Sequence, residues 1–188
     1  MATDQHPSAG ASAEGTVQVH GALVEVRGTG VLILGPSGAG KSETALELIT
    51  RGHRLVADDV VRLEERDGRL EGQAPELIRH HLEVRGIGIV DLRRLYGEVA
   101  VAMRATVDLV CRIVPWKEGL VVERVGLERP VESVAGHSIP VVVLPARPSG
   151  NLATLVDLAV RDHRDRAGGE SAAHRLDERV KRAALGKS

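Results

Sequence analysis

Phenylalanine is absent from this chain, and tyrosine and tryptophan occur once each, as Tyr96 and Trp116. Without aromatic side chains there are no platforms on which single-stranded nucleic acid can stack. Cysteine also occurs once, at Cys111 inside the apolar run Thr106 to Val114. A lone thiol excludes an internal disulfide and a cysteine zinc cluster, and suits a reducing, cytoplasmic setting. Charge of either sign is not in excess. The 25 Lys+Arg and 26 Asp+Glu leave a net charge of -1, so no global field draws nucleic acid or an anionic membrane. No apolar run approaches the roughly 20 residues of a membrane span, and the first residues lack the basic start and apolar core of a secretory signal. The single asparagine, Asn151, is followed by Leu152, which removes the Asn-Lys-x-Asp guanine-specificity motif of a GTPase switch.

What is present points to one globular α/β domain, with 43% hydrophobic and 27% charged residues over 188 positions. Lysine is scarce, with four in the chain, yet one stands at the end of Gly35-Pro36-Ser37-Gly38-Ala39-Gly40-Lys41-Ser42. That stretch fits G-x-x-x-x-G-K-[ST] and follows the apolar run Val31 to Leu34, as a buried strand feeding a phosphate loop requires. Its glycines let successive N–H groups turn inward toward phosphate oxygens, and the helix expected from Ser42 to Arg51 adds its positive end. In such a loop Lys41 reaches the outer phosphates of ATP and Ser42 supports a magnesium ion.

Around the loop the chain reads as follows. Residues 1 to 16 are small and polar without a period, a disordered tail, and the domain spans 17 to 188. Val17 to Val26 form a strand or bent hairpin arm around His20-Gly21, before a turn at Arg27 to Gly30. Arg54 to Asp59 is a strand ending in two carboxylates, which point apart if the backbone stays extended and so divide metal support from proton transfer. Arg66-Asp67-Gly68 marks a hairpin between Val60 to Glu65 and Arg69 to Gln73. A brief helix is expected from Glu76 to His81, and then the segment Leu82 to Asp91, in which Glu83 and Arg85 share a face if extended. A helical turn from Leu92 stops at Gly97, with strands to follow at Val99 to Met103, Thr106 to Val114, Leu120 to Val125 and Ile139 to Leu144. Pro145 to Gly150 is a loop, Asn151 caps a helix that Gly168-Gly169 breaks, and Ser171 caps a last arginine-rich helix suited to a packing or partner surface.

Taken together, His20-Gly21, the loop with its Ser42-Glu43-Thr44-Ala45-Leu46 continuation, Arg51 to Asp59 and Leu-Glu-Val-Arg-Gly-Ile-Gly-Ile from Leu82 to Ile89 closely resemble the catalytic domain of HPr kinase/phosphorylase, from about Val17 to Arg164. The resemblance implies a P-loop kinase domain of the phosphoenolpyruvate carboxykinase-like type, a mixed sheet with flanking helices. It implies phosphate transfer from ATP to a serine of the carrier protein HPr and the reverse step with inorganic phosphate, in a homo-oligomer, a hexamer by that likeness. Carried over residue by residue, Lys41 holds phosphates, Ser42 and Glu83 ligate magnesium, Asp59 accepts the serine proton, and His20 and Arg124 match active-site positions. The family's additional N-terminal domain has no counterpart here beyond the short tail. Arg147-Pro148-Ser149-Gly150 stands where the family segment linked to dephosphorylation ends Arg-Pro-Gly-Arg, so a better kinase than phosphorylase is expected. Two other classes compete with this reading, a P-loop kinase of a small metabolite and a nucleotide-binding regulatory module without transfer activity.

Overall fold

A computed structural model of the chain describes residues 16–116, 126–147, 150–169 and 171–185. The candidate strand at Leu120 to Val125, Arg124 with it, and residues 1 to 15 of the expected tail lie outside the described residues. Two sheets stack, and the odd–even alternation of the central strands assigns each side chain to one of two cores. The larger sheet runs in the order β11-β12-β10-β3-β2-β4: β2 (Ala22–Val26), β3 (Thr29–Leu34), β4 (Arg54–Ala57), β10 (Leu109–Pro115), β11 (Val131–Val134) and β12 (His137–Ala146). It is mixed, with β3, β10 and β12 parallel and the remaining pairs antiparallel. The smaller sheet is antiparallel, in the order β1 (Thr16–His20), β5 (Val60–Arg66), β6 (Arg69–Gln73), β9 (Arg104–Thr106).

Val31 and Ile33 of β3, with Leu109, Cys111 and Ile113 of β10, face a core completed by helices α1 (Lys41–Thr50) and α3 (Leu152–Ala167). Leu32 and Leu34 face the other way, into a core shared with Val61, Leu63 and Leu70 of the smaller sheet. Period-two alternation in strands covered on both sides is what yields continuous apolar runs such as Val31 to Leu34. Burial pushes the Cys111 thiol up to about 12, so it stays protonated and serves packing. At Gly30 the Thr106 carbonyl comes in so close that a Cβ would fall 1.7 Å from its oxygen.

Several expectations need correction. The segment Val17 to Val26 is two strands in different sheets, split at Gly21, and β1 begins at Thr16. The turn after it is the pair Arg27-Gly28, both at positive φ, with Thr29 already in β3. Glu76 to His81 is not a helix. Glu76–Ile78 makes one 3-10 turn, Arg79 is extended, and the His80 carbonyl instead accepts the Leu92 N–H, committing the chain to the hairpin of β7 (His81–Val84) and β8 (Gly88–Asp91). Val99 to Met103 is a 3-10 turn at Glu98–Ala100 followed by a single bridge from Val101 to Leu55. Only Ala100 and Val101 of this run are buried, and so short an apolar stretch does not by its period distinguish a turn from a strand. Thr106 to Val114 is divided between β9 and β10, because Asp108 leaves the ladder to accept the Gly30 N–H. Strand β11 had no counterpart in the sequence reading, and β12 continues through Ala146 into the expected loop.

Other elements form as their residues dictate. Asp67 and Gly68, both at positive φ, close the β5–β6 hairpin. Asp91 caps α2 (Leu92–Tyr96) by accepting the Arg94 N–H, and Gly97 ends it. Asn151 caps α3 by accepting the Thr154 N–H at 2.7 Å and also donates to Glu47 of α1 at 2.6 Å, so one side chain ties both helices. Helix α4 (Ala172–Leu185) buries none of its residues.

Candidate active site

The phosphate loop leaves β3 in the middle of the larger sheet and enters α1 at Lys41, with Gly38 and Gly40 in left-handed conformations that side chains would strain. The first N–H groups of α1 therefore point into the concavity that the loop encloses. Lys41 is buried, and its Nζ donates to the carbonyls of Gly35 (2.9 Å) and Pro36 (3.1 Å). Burial lowers its pKa, opposed by the nearby charges of Asp58, Asp59 and Glu43. An ammonium held by two carbonyls across a loop of inward N–H groups is poised to exchange those partners for phosphate oxygens.

At the end of β4 the two carboxylates separate, as the sequence suggested, but by a different route. Asp58 remains buried, while Asp59 takes φ 66 and turns outward. Left-handed backbone at a non-glycine residue costs on the order of 1 kcal/mol and needs support from its surroundings. Here the Asp59 carbonyl oxygen accepts the Gly21 N–H at 3.1 Å, and His20 Nδ1 lies 3.0 Å from that oxygen and 3.1 Å from Asp59 Oδ1. Both neighbours are acceptors, so Nδ1 carries a proton and donates. The two side chains are 48% and 67% exposed, within reach of an incoming hydroxyl.

Ser42 Oγ donates to the Asp58 carboxylate, 3.0 Å from either oxygen. Burial raises the Asp58 pKa, opposed by hydrogen bonds from Ser42 and from the backbone N–H groups of Asp59 and Glu83. An acid with a raised folded pKa adds stability below its unfolded value of 3.8 and loses that contribution as pH rises through the folded value. Asp58→Asn removes the titration, so its melting temperature relative to the unchanged protein should move in the variant's favour as pH rises from acid to neutral. A series of thermal melts that moved the other way would contradict the burial argument.

Glu83 and Arg85 come from the β7–β8 hairpin, which packs on α1 through buried Leu82. Alternation puts Glu83 on the opposite, open face. Together His20, Lys41, Ser42, Asp59, Glu83 and Arg85 line one cavity of about 150 Å3. Of these, Arg85 was not a sequence candidate. Its place in the turn after β7 brings a guanidinium nitrogen 3.8 Å from the Cβ position of Gly38, and its spacing from Glu83 was the available signal. Asp58 had been given only a supporting role, and its bond to Ser42 supplies the physical content of that role. Pro36, Ser37 and Gly38 are exposed along the loop rim, with Gly35, Ala39 and Gly40 half-buried. Arg147 stacks over Trp116, 4.2 Å from the ring centroid, and its carbonyl accepts the Gly150 N–H at 2.9 Å. Among the described residues, no three His, Cys, Asp or Glu side chains converge as a metal cluster.

Comparison with known proteins gives concordant results. The family described as HPr Serine kinase C-terminal domain matches residues 12–180. A protein named HPr kinase/phosphorylase from Caldanaerobacter subterraneus subsp. tengcongensis is 46% identical over 165 residues, covering 87% of this chain and 54% of the relative. One of the same name from Caldicellulosiruptor bescii is 47% identical over 164 residues, covering 87% and 53%. The chain thus spans about half the length of the curated relatives it matches. A solved structure titled as the Hpr(Ser) kinase/phosphatase from Coxiella burnetii superposes with a TM-score of 0.75 at 32% identity, covering 85% of this chain and 97% of that one. The match spans the strand, loop and helix that hold Lys41, the Asp58–Asp59 turn and the hairpin that carries Glu83, and on that extent the chain belongs to the HPr serine kinase C-terminal domain family.

Proposed function

We propose that this chain transfers a phosphoryl group from ATP to a serine of an HPr-type phosphocarrier protein. The observation that carries the reading is the meeting of Lys41 and Ser42 with the His20–Asp59 pair in one cavity. Phosphoryl transfer asks a protein mainly for positioning and charge neutralisation, with a base near the attacking hydroxyl. The loop N–H groups and the start of α1 hold the outer phosphates, and Lys41 stabilises charge on them. The serine oxygen bonds to the terminal phosphorus, the bond to the ADP oxygen breaks, and the serine proton passes to the Asp59 carboxylate. His20 Nδ1–H orients that carboxylate, and Arg124 belongs to the same machinery by its match to the family position.

Magnesium fits the donor set. Ser42 donates its hydrogen bond to Asp58, so its oxygen lone pairs are open to a cation, and Glu83 offers a carboxylate in the same cavity. One hydroxyl and one carboxylate suit an ion that takes its other ligands from water and substrate phosphates. When bound, magnesium neutralises charge on the phosphate oxygens.

The reverse, phosphate-dependent reaction is the weaker one in this proposal, because Gly150 offers no guanidinium and Arg147 rests on Trp116. We also assign the protein to the cytoplasm and to a homo-oligomer, hexameric by family resemblance. Leu77, Ile87, Ile89 and Val99 are each at least three-quarters exposed, apolar side chains that another copy could cover. No helix among the described residues is long and apolar enough to cross a membrane.

The test is incubation with an HPr-type carrier and ATP-magnesium, followed by mass spectrometry for phosphoserine. Stoichiometric phosphoserine is expected. Turnover on a small hydroxyl metabolite alone would make the chain a metabolite kinase, and tight ATP binding without turnover would make it a binding module.

A further inference from the structure

A second cavity, of about 630 Å3, opens beside the phosphate loop. It lies between the sheets, walled by Val17 and Val19 of β1, Leu34 of β3, Val114 of β10, and Val134 of β11. The Arg112 and Glu132 side chains on its lining pair with each other, with Arg112 Nε 2.9 Å from Glu132 Oε2. The lining is thus mainly aliphatic, with a neutralised ion pair and the uncharged polar side chains of Gln18 and Ser133 among it. His20 and Ser37 line both this cavity and the smaller polar one.

That shared border decides what the cavity can take. Gly38, Gly40, Lys41 and Ser42 at the helix end of the loop face the polar cavity, whereas Gly35 and Pro36 at its strand end face the aliphatic one. A polyphosphate lying over Lys41 and the start of α1 occupies the polar side. The hydroxyl that Asp59 activates must stand in line beyond the terminal phosphorus, next to His20. Groups attached to that hydroxyl then have the aliphatic cavity immediately beside them. Among the described lining residues Arg112 and Glu132 are spent on each other and His20 on Asp59, so a charged metabolite finds little counter-charge in them, whereas an aliphatic side chain gains by leaving water.

Resting on the serine-transfer reading, we propose that this cavity receives an apolar side chain of the acceptor protein next to its reacting serine, and so selects acceptors by that neighbour. The occupant is a segment of the phosphocarrier.

Val17→Trp and Val114→Trp fill the cavity from opposite walls, and both positions are half-buried. In the full chain, each should raise KM for the carrier on the order of 10-fold or more, with calorimetric ATP-magnesium affinity unchanged. A carrier whose apolar residues flanking the serine are replaced by aspartate should lose as much with the unchanged enzyme, and little more with either variant. If a tryptophan variant shows no melting transition, Val17→Thr makes the wall polar at nearly constant volume and should shift KM in the same direction. The inference is overturned if folded variants keep the carrier KM, or if they lose ATP affinity instead, which would make the cavity the nucleoside seat. If the unchanged enzyme phosphorylates no carrier, the serine-transfer reading falls and this inference with it.

Discussion

Lys41→Met is expected to lower phosphoryl transfer by about 10²-fold or more while leaving the fold in place. In the proposed reaction the ammonium would stabilise charge on the outer phosphates as the transfer proceeds, and loss of a preorganised charge clamp has that magnitude. The stability argument runs the opposite way. Burial lowers the Lys41 pKa below its ordinary value of 10.5. A base depressed in the folded state is stabilising above its unfolded value, and that contribution is lost as pH falls through the folded one. At neutral pH the buried charge therefore opposes folding, and methionine relieves it. Against this stand the hydrogen bonds from Nζ to Gly35 and Pro36, which methionine gives up. Thermal melts at neutral pH should show a cooperative transition close to that of the unchanged protein, beside carrier phosphorylation that is nearly gone. Near-normal turnover by the purified variant would remove Lys41 from the chemistry, and with it the phosphate-loop reading.

The sequence disclosed the loop because the motif and its flanks are local. A buried strand, three glycines, Lys41 and the α1 helix occupy consecutive positions, and each obeys a short-range rule. The Asp67-Gly68 turn and the Asn151 cap were legible for the same reason. Other features were settled by distant partners. Asp59 turns outward because its carbonyl meets Gly21 and His20, some forty residues away in sequence, and no pattern around Asp58-Asp59 encodes that contact. His80 leaves the helical path because Leu92 claims its carbonyl. Arg85 reaches the loop only because Leu82 anchors the hairpin on α1. The division of Val17 to Val26 between two sheets follows from pairing with β5 on one side of Gly21 and with β3 on the other. The same division opens the space beside Val17 and Val19 that forms the aliphatic cavity. His20, Asp59 and Glu83 come together with the loop, whereas Arg124 lies outside the described residues.

Asp59→Asn should reduce transfer by about 10² to 10⁴-fold, the usual consequence of removing a general base, while ATP-magnesium binding remains close to normal. The substitution isolates the chemistry because asparagine is among the residues that best tolerate left-handed backbone, so the φ of 66 at this position persists. The supports also persist, since Gly21 and His20 hold the backbone carbonyl rather than the side chain alone. What disappears is the group proposed to accept the serine proton. The amide cannot take that proton at any accessible pH. Asp58→Asn gives the contrast. Asp58 bonds Ser42 beneath the loop, so its replacement should weaken magnesium-dependent nucleotide binding before it touches proton transfer. Calorimetry on both variants, with single-turnover rates on the carrier, separates the two carboxylates. Nucleotide affinity lost in Asp59→Asn with turnover intact would exchange their roles.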